Sequence, residues 1–220
     1  MSVGRKRVRI EKMIPPQSGS PDIELLQRMF NGEEEAFAAL YRQWQGGIYR
    51  FALQMSGSEA VAEDVTQEVF LCLIREPARF DASRGSISSF LFGISRNLVL
   101  QFLQKKRQLV SLGADDSENE ADLSQTLASP HDPLADLTRK EGINALHQAV
   151  LALPVHYREA VVLCDLEEMS YVQAAQVIGC AVGTIRSRLN SAHRLLLDRL
   201  RKKSQVEPAP NSSQVARSLV

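Results

Sequence analysis

Apolar residues recur with a helical period along most of the chain. The clearest case is residues 182–200, where the apolar positions step by four, three and four: Ile185, Leu189, Ala192 and Leu196. Residues at this spacing lie on one face of an α-helix. The pattern predicts one amphipathic helix with its apolar seam against a core.

A second, shorter helix is predicted directly before it. Ser170 and Gln173 have the three-residue spacing of a capping box, in which each side chain bonds the other residue's backbone amide. Gly179 then suits the left-handed residue that ends a helix. Two helices joined by so tight a turn predict a helix-turn-helix.

The face of the second helix opposite its seam is small, polar or basic and carries no acid. A rotation of about 100° per residue puts on or beside this face Gly183, Thr184, Arg186, Ser187, Asn190, Ser191 and Arg194. One interpretation is a recognition helix that lies in the major groove of DNA. The alternative is an ordinary helical hairpin with a solvated basic face.

Residues 58–76 predict a helix that is apolar on two sides. One seam holds Val61, Val65, Val69 and Cys72, and Glu63, Gln67, Phe70 and Ile74 fall on the opposite face. Such a helix is either enclosed within its own domain or covered by a partner. The residues alone slightly favour the first explanation.

A polar loop at residues 80–86, which contains Arg84, precedes a helix expected over residues 87–108. Gly93, Asn97, Gln101 and Gln104 align along this helix beside Arg96, and Lys105, Lys106 and Arg107 follow at its end. Amides can pair with base edges, and cations can neutralise phosphates. A solvated polar face with cations that suit a helix C-terminus fits the same pattern.

Charge is strongly segregated, although the formal net charge of the 220 residues is +0. Residues 183–203 carry seven Lys or Arg against the single acid Asp198, and residues 115–136 carry seven acids and no base. Local rather than total charge decides where a polyanion can bind. The basic segment therefore remains a candidate nucleic-acid surface.

Composition excludes several other classes. Cys72, Cys164 and Cys180 lie within apolar helical patterns and are expected to be buried thiols. The chain has no CxxC or HExxH motif and no His cluster, so we expect no metal site and no cofactor. No run suits a signal peptide or a membrane span. We therefore expect a reducing, cytoplasmic location without membrane insertion.

These observations predict an all-α protein with two small helical domains joined by a flexible acidic linker. The expected divisions are a flexible basic arm (1–21), a first helical domain (22–108), the linker (109–133), a second domain with the helix-turn-helix (134–203) and a disordered tail (204–220).

The two halves together resemble bacterial RNA polymerase sigma factors of the extracytoplasmic-function (ECF) type, which contain the domains called region 2 and region 4. Five segments carry this resemblance, in order: FNGEEEAFAALYRQW, AEDVTQEVFLCL, RFDASRGSISSFLFGISRNLVL, LPVHYREAVVLCDLEEMSYVQAAQVIG and GTIRSRLNSAHRLL. Each segment alone is weakly specific, whereas the five in sequence with an acidic linker are strongly so. The resemblance covers about residues 22–108 and 134–203.

The resemblance implies a role for each segment. The two-faced helix would bind the clamp helices of core RNA polymerase through Asp64, Gln67, Glu68, Phe70 and Ile74. The minus-10 promoter element would be opened and bound by residues 80–86, including Arg84, and by Arg96, Asn97, Gln101, Lys105, Lys106 and Arg107. The minus-35 element would be read by Thr184, Arg186, Ser187, Arg188, Asn190 and Arg194. The linker would run toward the polymerase active-site channel, and an anti-sigma factor is the further expected partner.

The sequence departs from the family pattern at a few of these places. Phe90, Gly93 and Gln101 stand where relatives often have Trp, Arg and Asp, so base contacts near the minus-10 element are expected to differ. Ala181 replaces the usual Ser at the start of the recognition helix, and loss of such a cap typically costs about 1 kcal/mol.

Two other classes of function remain to be compared with a sigma factor. A helix-turn-helix regulator acting without core polymerase explains residues 170–200 equally well but leaves AEDVTQEVF and RNLVLQFL unexplained. An enzyme has little support, because the sequence offers no nucleophile–base pair, no Gly-rich phosphate loop and no carboxylate dyad. The scattered residues His131, His147, His156 and His193 are expected to be solvent-facing or structural.

Overall fold

The computed structural model describes residues 21–76, 79–111 and 133–206, and all regular secondary structure in these ranges is helical. The helices of the first half are α1 (Pro21–Phe30), α2 (Glu34–Ser56), α3 (Glu59–Arg75) and α4 (Ile87–Ser111). Those of the second half are α5 (Pro133–Leu151), α6 (Val155–Val161, continued by a π-helical turn at Val162–Leu166), α7 (Tyr171–Ile178) and α8 (Val182–Val206).

Helices α1 to α4 pack around an apolar core. Its fully buried side chains include Leu26, Leu40, Phe51, Val69 and Leu91. The ring of Phe51 meets that of Phe92 edge to face, with centroids 5.6 Å apart, an arrangement that adds to the energy of burial. Helix α2 continues through Gly46 and Gly47 as one helix, so the glycine pair does not interrupt it.

Local capping follows the sequence pattern. The Ser58 hydroxyl accepts a hydrogen bond from the Val61 amide at the start of α3, and Ser86 does the same for Ser89 at the start of α4. Gly57 ends α2 in the left-handed conformation, with φ of 72°. These caps satisfy backbone groups that have no partner inside the helices.

The helix-turn-helix is confirmed in the second half. The capping box of Ser170 and Gln173 is complete, and Gly179 has φ of 76°. The predicted seam of α8 is buried along its whole length. Helix α8 packs with this seam on α6, α7 and α5.

The two halves also pack against each other, which the sequence did not predict. Helix α7 lies on α4, and α5, α6 and the π-turn lie on α2, so buried apolar residues of both halves form one continuous cluster. Polar bonds join the halves as well. The Arg50 guanidinium donates to both carboxylate oxygens of Glu167 at 3.1 Å, and that of Arg158 donates to the Met55 carbonyl at the end of α2.

The element bounds can be compared with the predicted divisions. Helix α4 extends beyond residue 108, and α8 extends beyond residue 203. The basic arm (apart from Pro21), residues 112–132 of the expected linker and residues 207–220 of the expected tail lie outside the described residues.

The cysteines are half-buried rather than fully buried as expected. Burial, with a smaller contribution from Asp165, raises the pKa of the Cys164 thiol to about 11. Its reactive thiolate form is therefore disfavoured at neutral pH.

Candidate functional site

A groove of about 730 Å³ lies between α2 and α3 and contains several of the predicted polymerase-binding residues. Asp64 and Gln67 are exposed at its edge, and Ile74 is 51% exposed although it is a large apolar residue. Glu68, the residue after Gln67, is also exposed, and its carboxylate lies 3.7 Å from the Arg75 guanidinium. We call this surface the α2–α3 groove.

Phe70 is the exception among these residues, because it is only 3% exposed. Its ring lies 4.7 Å from that of Tyr41 and meets Phe37 edge to face at 6.2 Å, centroid to centroid. The prediction that Phe70 lies on an outward-facing apolar surface is therefore wrong. The two aromatic rings of α2 cover it, so it forms the floor of the groove.

The sequence analysis missed the α2 side of this groove. Phe37, Tyr41, Gln45 and Tyr49 line it. They recur at every fourth position, so they form one stripe along a helix. This spacing was visible in the sequence and was the signal that could have identified them.

A second groove, of about 710 Å³, lies between the loop before α4 and the first turns of α4. We call it the α4 groove. Its lining includes Arg84, Gly93 and Asn97 from the predicted minus-10 surface. The Ser83 hydroxyl and amide both donate to the Asp81 carboxylate, and these hydrogen bonds hold its pKa below the usual value. The loop therefore presents a fixed negative charge beside the Arg84 cation.

Other predicted minus-10 residues continue along α4. Gln101, Lys105, Lys106 and Arg107 are all exposed. A polar groove followed by consecutive cations on one helix matches the arrangement of a base-contacting site with an adjacent phosphate track.

The predicted DNA face of α8 is accessible. Arg186, Ser187, Asn190 and Arg194 are exposed, and Thr184 is partly exposed. The Ser187 hydroxyl donates to the Thr184 carbonyl at 3.0 Å, within the helix. None of the acidic side chains in the described ranges forms an ion pair with Arg186 or Arg194.

Arg96 and Arg188 do not have the free, outward placement that was predicted. Both are directed at Glu159 of α6, whose carboxylate side chain is only 3% exposed. Arg96 Nε lies 2.8 Å from Glu159 Oε1, and Arg188 Nη1 lies 3.8 Å from Oε2. A buried carboxylate needs compensating charge, which explains why both cations turn inward.

Glu159 was not identified from the sequence. It is flanked by the apolar residues Ala160 to Leu163, and nothing in that pattern distinguishes a buried acid from a solvated one. Only the tertiary structure, which brings Arg96 of α4 and Arg188 of α8 to this side chain, shows that it has two cationic partners.

The fold and these surfaces define a helical DNA-binding protein with a helix-turn-helix in one half and a polar groove in the other. Two family profiles match the same halves: Sigma-70 region 2 at residues 40–108, and Sigma-70, region 4 at residues 143–196. Among curated relatives, the ECF RNA polymerase sigma factor EcfG of Rhodopseudomonas palustris is 37% identical over 144 residues, which cover 64% of this chain and 72% of EcfG. The chain belongs to the ECF RNA polymerase sigma factor family.

Two further similarities agree with this assignment. The ECF sigma factor SigW of Bacillus subtilis is 29% identical over 181 residues, which cover 80% of this chain and 95% of SigW. The sigma factor RpoE of Bartonella quintana, solved in complex with the anti-sigma factor NepR, has a similar fold: the TM-score is 0.58 at 23% identity, over 75% of this chain and 96% of that one. In the ranges that the structure describes, no helix combines the length and apolarity needed to cross a membrane.

Proposed function

We infer that this protein is a promoter-specificity subunit that binds core RNA polymerase, recognises the minus-35 and minus-10 elements and promotes transcription initiation. The observation that carries this inference is the presence of region 2 and region 4 in one chain, each with an accessible polar surface at the predicted positions. A helix-turn-helix regulator acting without polymerase would leave region 2 unexplained, and no relative described above supports it.

The α2–α3 groove is the proposed polymerase-binding surface. Its aromatic floor with Ile74 at one end offers apolar area to a partner helix, and Asp64, Gln67 and Glu68 offer polar contacts. An amphipathic helix of the polymerase clamp fits a groove of this kind, because its apolar face can bury against the rings.

The α4 groove is the proposed minus-10 site. Extrusion of a base from the duplex costs a few kcal/mol, which the protein must recover by contacts to the flipped base. Arg84 and Asn97 supply such polar contacts in the groove, and Gln101 lies farther along the same helix. The cations Lys105, Lys106 and Arg107 would then follow the strand's phosphates.

The exposed face of α8 is the proposed minus-35 reader. Arg186 and Arg194 are suited to bidentate contacts with guanine or to phosphate contacts. Thr184, Ser187 and Asn190 lie between these arginines along the helix and offer shorter polar side chains for contacts with the DNA. Arg188 was predicted to belong to this set, but its pairing with Glu159 favours a supporting role in the free protein.

Further expectations follow from the family. An anti-sigma factor is a proposed partner, since the related Bartonella protein was solved with one. As a transcription initiation factor, the protein is proposed to have no catalytic activity of its own and to act in the cytoplasm with the polymerase.

Run-off transcription with purified core polymerase tests the proposal. Promoters selected from a randomised library should give a defined product only when this protein is added. Absence of any protein-dependent product, together with no retention of core polymerase in a pull-down, would refute it.

A further inference from the structure

A third groove, of about 260 Å³, lies where α2 and α4 meet the short segment between the π-helical turn and α7. Its walls include Trp44 and Arg50 of α2, Phe92 of α4, and Glu167 and Glu168 of that segment. We call it the Glu168 cleft. Its described lining contains no residue assigned above to polymerase or promoter contacts, so the inferred function leaves this cleft unexplained.

The cleft has more negative than positive charge. The Glu167 side chain is only 6% exposed and is paired with Arg50. Glu168, the next residue, is exposed and forms no ion pair with a cation of the described ranges. Burial raises the pKa of Glu167, and the Glu168 charge adds to this shift while Arg50 opposes it. Two adjacent carboxylates therefore share one cation, and a second cation would be favourable beside Glu168.

The cleft also contains a hydrogen-bond donor without an acceptor. The indole Nε1 of Trp44 is buried and has no partner in the described part of the chain. Buried donors are normally paired, because an unpaired one costs free energy. A ligand that carries both cations and carbonyl oxygens would satisfy Glu168 and Trp44 together. A basic peptide segment has both groups.

The chain that precedes α1 meets the described structure at the edge of this cleft. Helix α1 begins at Pro21. The Asp22 carboxylate accepts a hydrogen bond from the side-chain amide of Gln43 at 2.8 Å. Gln43 is itself part of the cleft wall. Any segment that lies shortly before Pro21 in the sequence is therefore tethered beside the cleft.

Such a segment has the required chemistry. Residues 5–12, RKRVRIEK, contain five Lys or Arg against one acid, together with Val8 and Ile10. Nine residues separate Lys12 from Asp22, and a chain of this length can span up to about 30 Å. A short tether gives an effective concentration in the millimolar range, so even a weak contact can be well populated.

Apolar side chains near the acidic pair suit the same segment. Leu166, Tyr171 and Val172 are 39%, 42% and 57% exposed, although all three are large and apolar. They precede and follow Glu167 and Glu168 in the sequence. Val8 and Ile10 alternate with cations of the arm, so one short segment offers apolar and basic side chains together.

We propose that residues 5–12 of the chain's own N-terminal arm bind in the Glu168 cleft, with an arm cation at Glu168 and an arm carbonyl oxygen at Trp44 Nε1. The arm would then contact both halves of the molecule, since Trp44 belongs to the first and Glu168 to the second. The contact requires neither DNA nor polymerase, so it can be tested on the full chain alone.

A carbodiimide crosslink tests the contact directly, because it joins lysine amines to carboxylates without a spacer. In a mixture of ¹⁴N and ¹⁵N protein, we expect mass spectrometry to find Lys6 or Lys12 joined to Glu168 within one chain. Salt of about 1 M shortens the Debye length to about 3 Å, so the yield should fall severalfold. Asp198, an exposed acid on α8, is the control carboxylate. Crosslinks that form equally often to Asp198, or only between chains, would overturn the proposal.

Tryptophan fluorescence gives a second test, because Trp44 is the sole tryptophan of the chain. A neutral-arm variant of the full chain replaces Arg5, Lys6, Arg7, Arg9 and Lys12 by Gln. Acrylamide should quench Trp44 more efficiently in this variant and in Glu168→Gln than in wild type. Asp198→Asn, which removes one exposed negative charge elsewhere, should behave as wild type.

The combination of both changes separates arm binding from a local effect at the cleft. If the arm and Glu168 act through one contact, the neutral-arm variant with Glu168→Gln should be quenched no more than either variant alone. Circular dichroism confirms that each variant is folded. Wild-type quenching in the folded neutral-arm variant, or fully additive effects in the combination, would overturn the proposal.

Discussion

At the scale of single residues, exposure separates side chains that looked equivalent in the sequence. Phe70 and Ile74 both lie on the second apolar face of α3, yet they are 3% and 51% exposed. The residues alone slightly favoured packing within the domain, and the family resemblance assigned both side chains to the polymerase. The rings of Phe37 and Tyr41 cover one and leave the other free.

Phe70→Ala should therefore lower the free energy of unfolding by about 3–5 kcal/mol, because it empties an aromatic cluster. Ile74→Ala should leave the melting temperature nearly unchanged and weaken binding to core polymerase. Thermal unfolding by circular dichroism and a polymerase pull-down measure the two effects. Equal stability of the two variants would show that the aromatic floor of the groove carries no packing energy.

The arginines of α8 also differ in exposure: Arg186 and Arg194 are exposed, whereas Arg188 is directed at Glu159. Arg186→Ala and Arg194→Ala should each weaken minus-35 binding, by about 1–3 kcal/mol with relaxed specificity if the contact is to a base. A phosphate contact would instead weaken all sequences alike and reduce the salt dependence. Arg188→Ala should affect DNA affinity less and stability more, since its partner is the buried Glu159. Fluorescence anisotropy of labelled minus-35 DNA over a salt series measures the affinity of each variant. Unchanged affinity in Arg186→Ala and Arg194→Ala would reject the assigned face.

At the scale of elements, nearby residues specify where a helix ends, but they do not specify which distant helix packs against that end. Gly57 and Gly179 both end helices with positive φ, which only glycine adopts without strain. Gly179 has no atom near the position of a Cβ, whereas a Cβ at Gly57 would lie 3.2 Å from Leu151 Cδ1 of α5. The sequence predicts a turn at Gly179 and says nothing of this close approach between the two halves at Gly57.

Gly179→Ala should thus cost about 1–2 kcal/mol, the penalty for a left-handed non-glycine residue. Gly57→Ala should cost more than Gly179→Ala, because it adds a steric conflict with Leu151. Chemical denaturation of both variants measures the difference. An equal loss would mean that the Leu151 side chain moves aside without cost.

At the scale of the whole molecule, the two domains pack against each other. Their interface combines a shared apolar cluster with the Arg50–Glu167 pair and the Arg158–Met55 bond. Burial raises the pKa of Glu167, although Arg50 opposes this shift. The interface thus depends on apolar area as well as on charge.

A protease site introduced within residues 112–132 should yield two fragments that still co-elute in gel filtration at low salt. Raised salt should weaken this association only partly, because it screens the ion pairs but not the apolar contacts. The uncut protein is the control for elution volume. Separate elution of the fragments at low salt would show that the domains do not hold each other without the covalent connection.

Much of the fold and part of the site could be predicted from this sequence. Helical period, the Ser170–Gln173 capping box and Gly179 specify the helix-turn-helix, because these signals act within a few residues of each other. The exposed polar face of α8 could also be predicted, because it lies opposite the apolar seam on the same helix. The roles of these surfaces were predicted by resemblance, and two matched sigma regions support them.

Only the tertiary structure decided which side chains of each face are free. Whether Phe70 is covered, whether Arg96 and Arg188 point outward, and whether Glu159 is buried all depend on how distant helices pack. A helical period identifies a face, but it does not identify the helix that lies against it. For that reason the amino-acid sequence by itself determined the elements and their caps, and the tertiary packing, with α7 against α4 and α8 against α6, determined which side chains of the predicted surfaces are exposed.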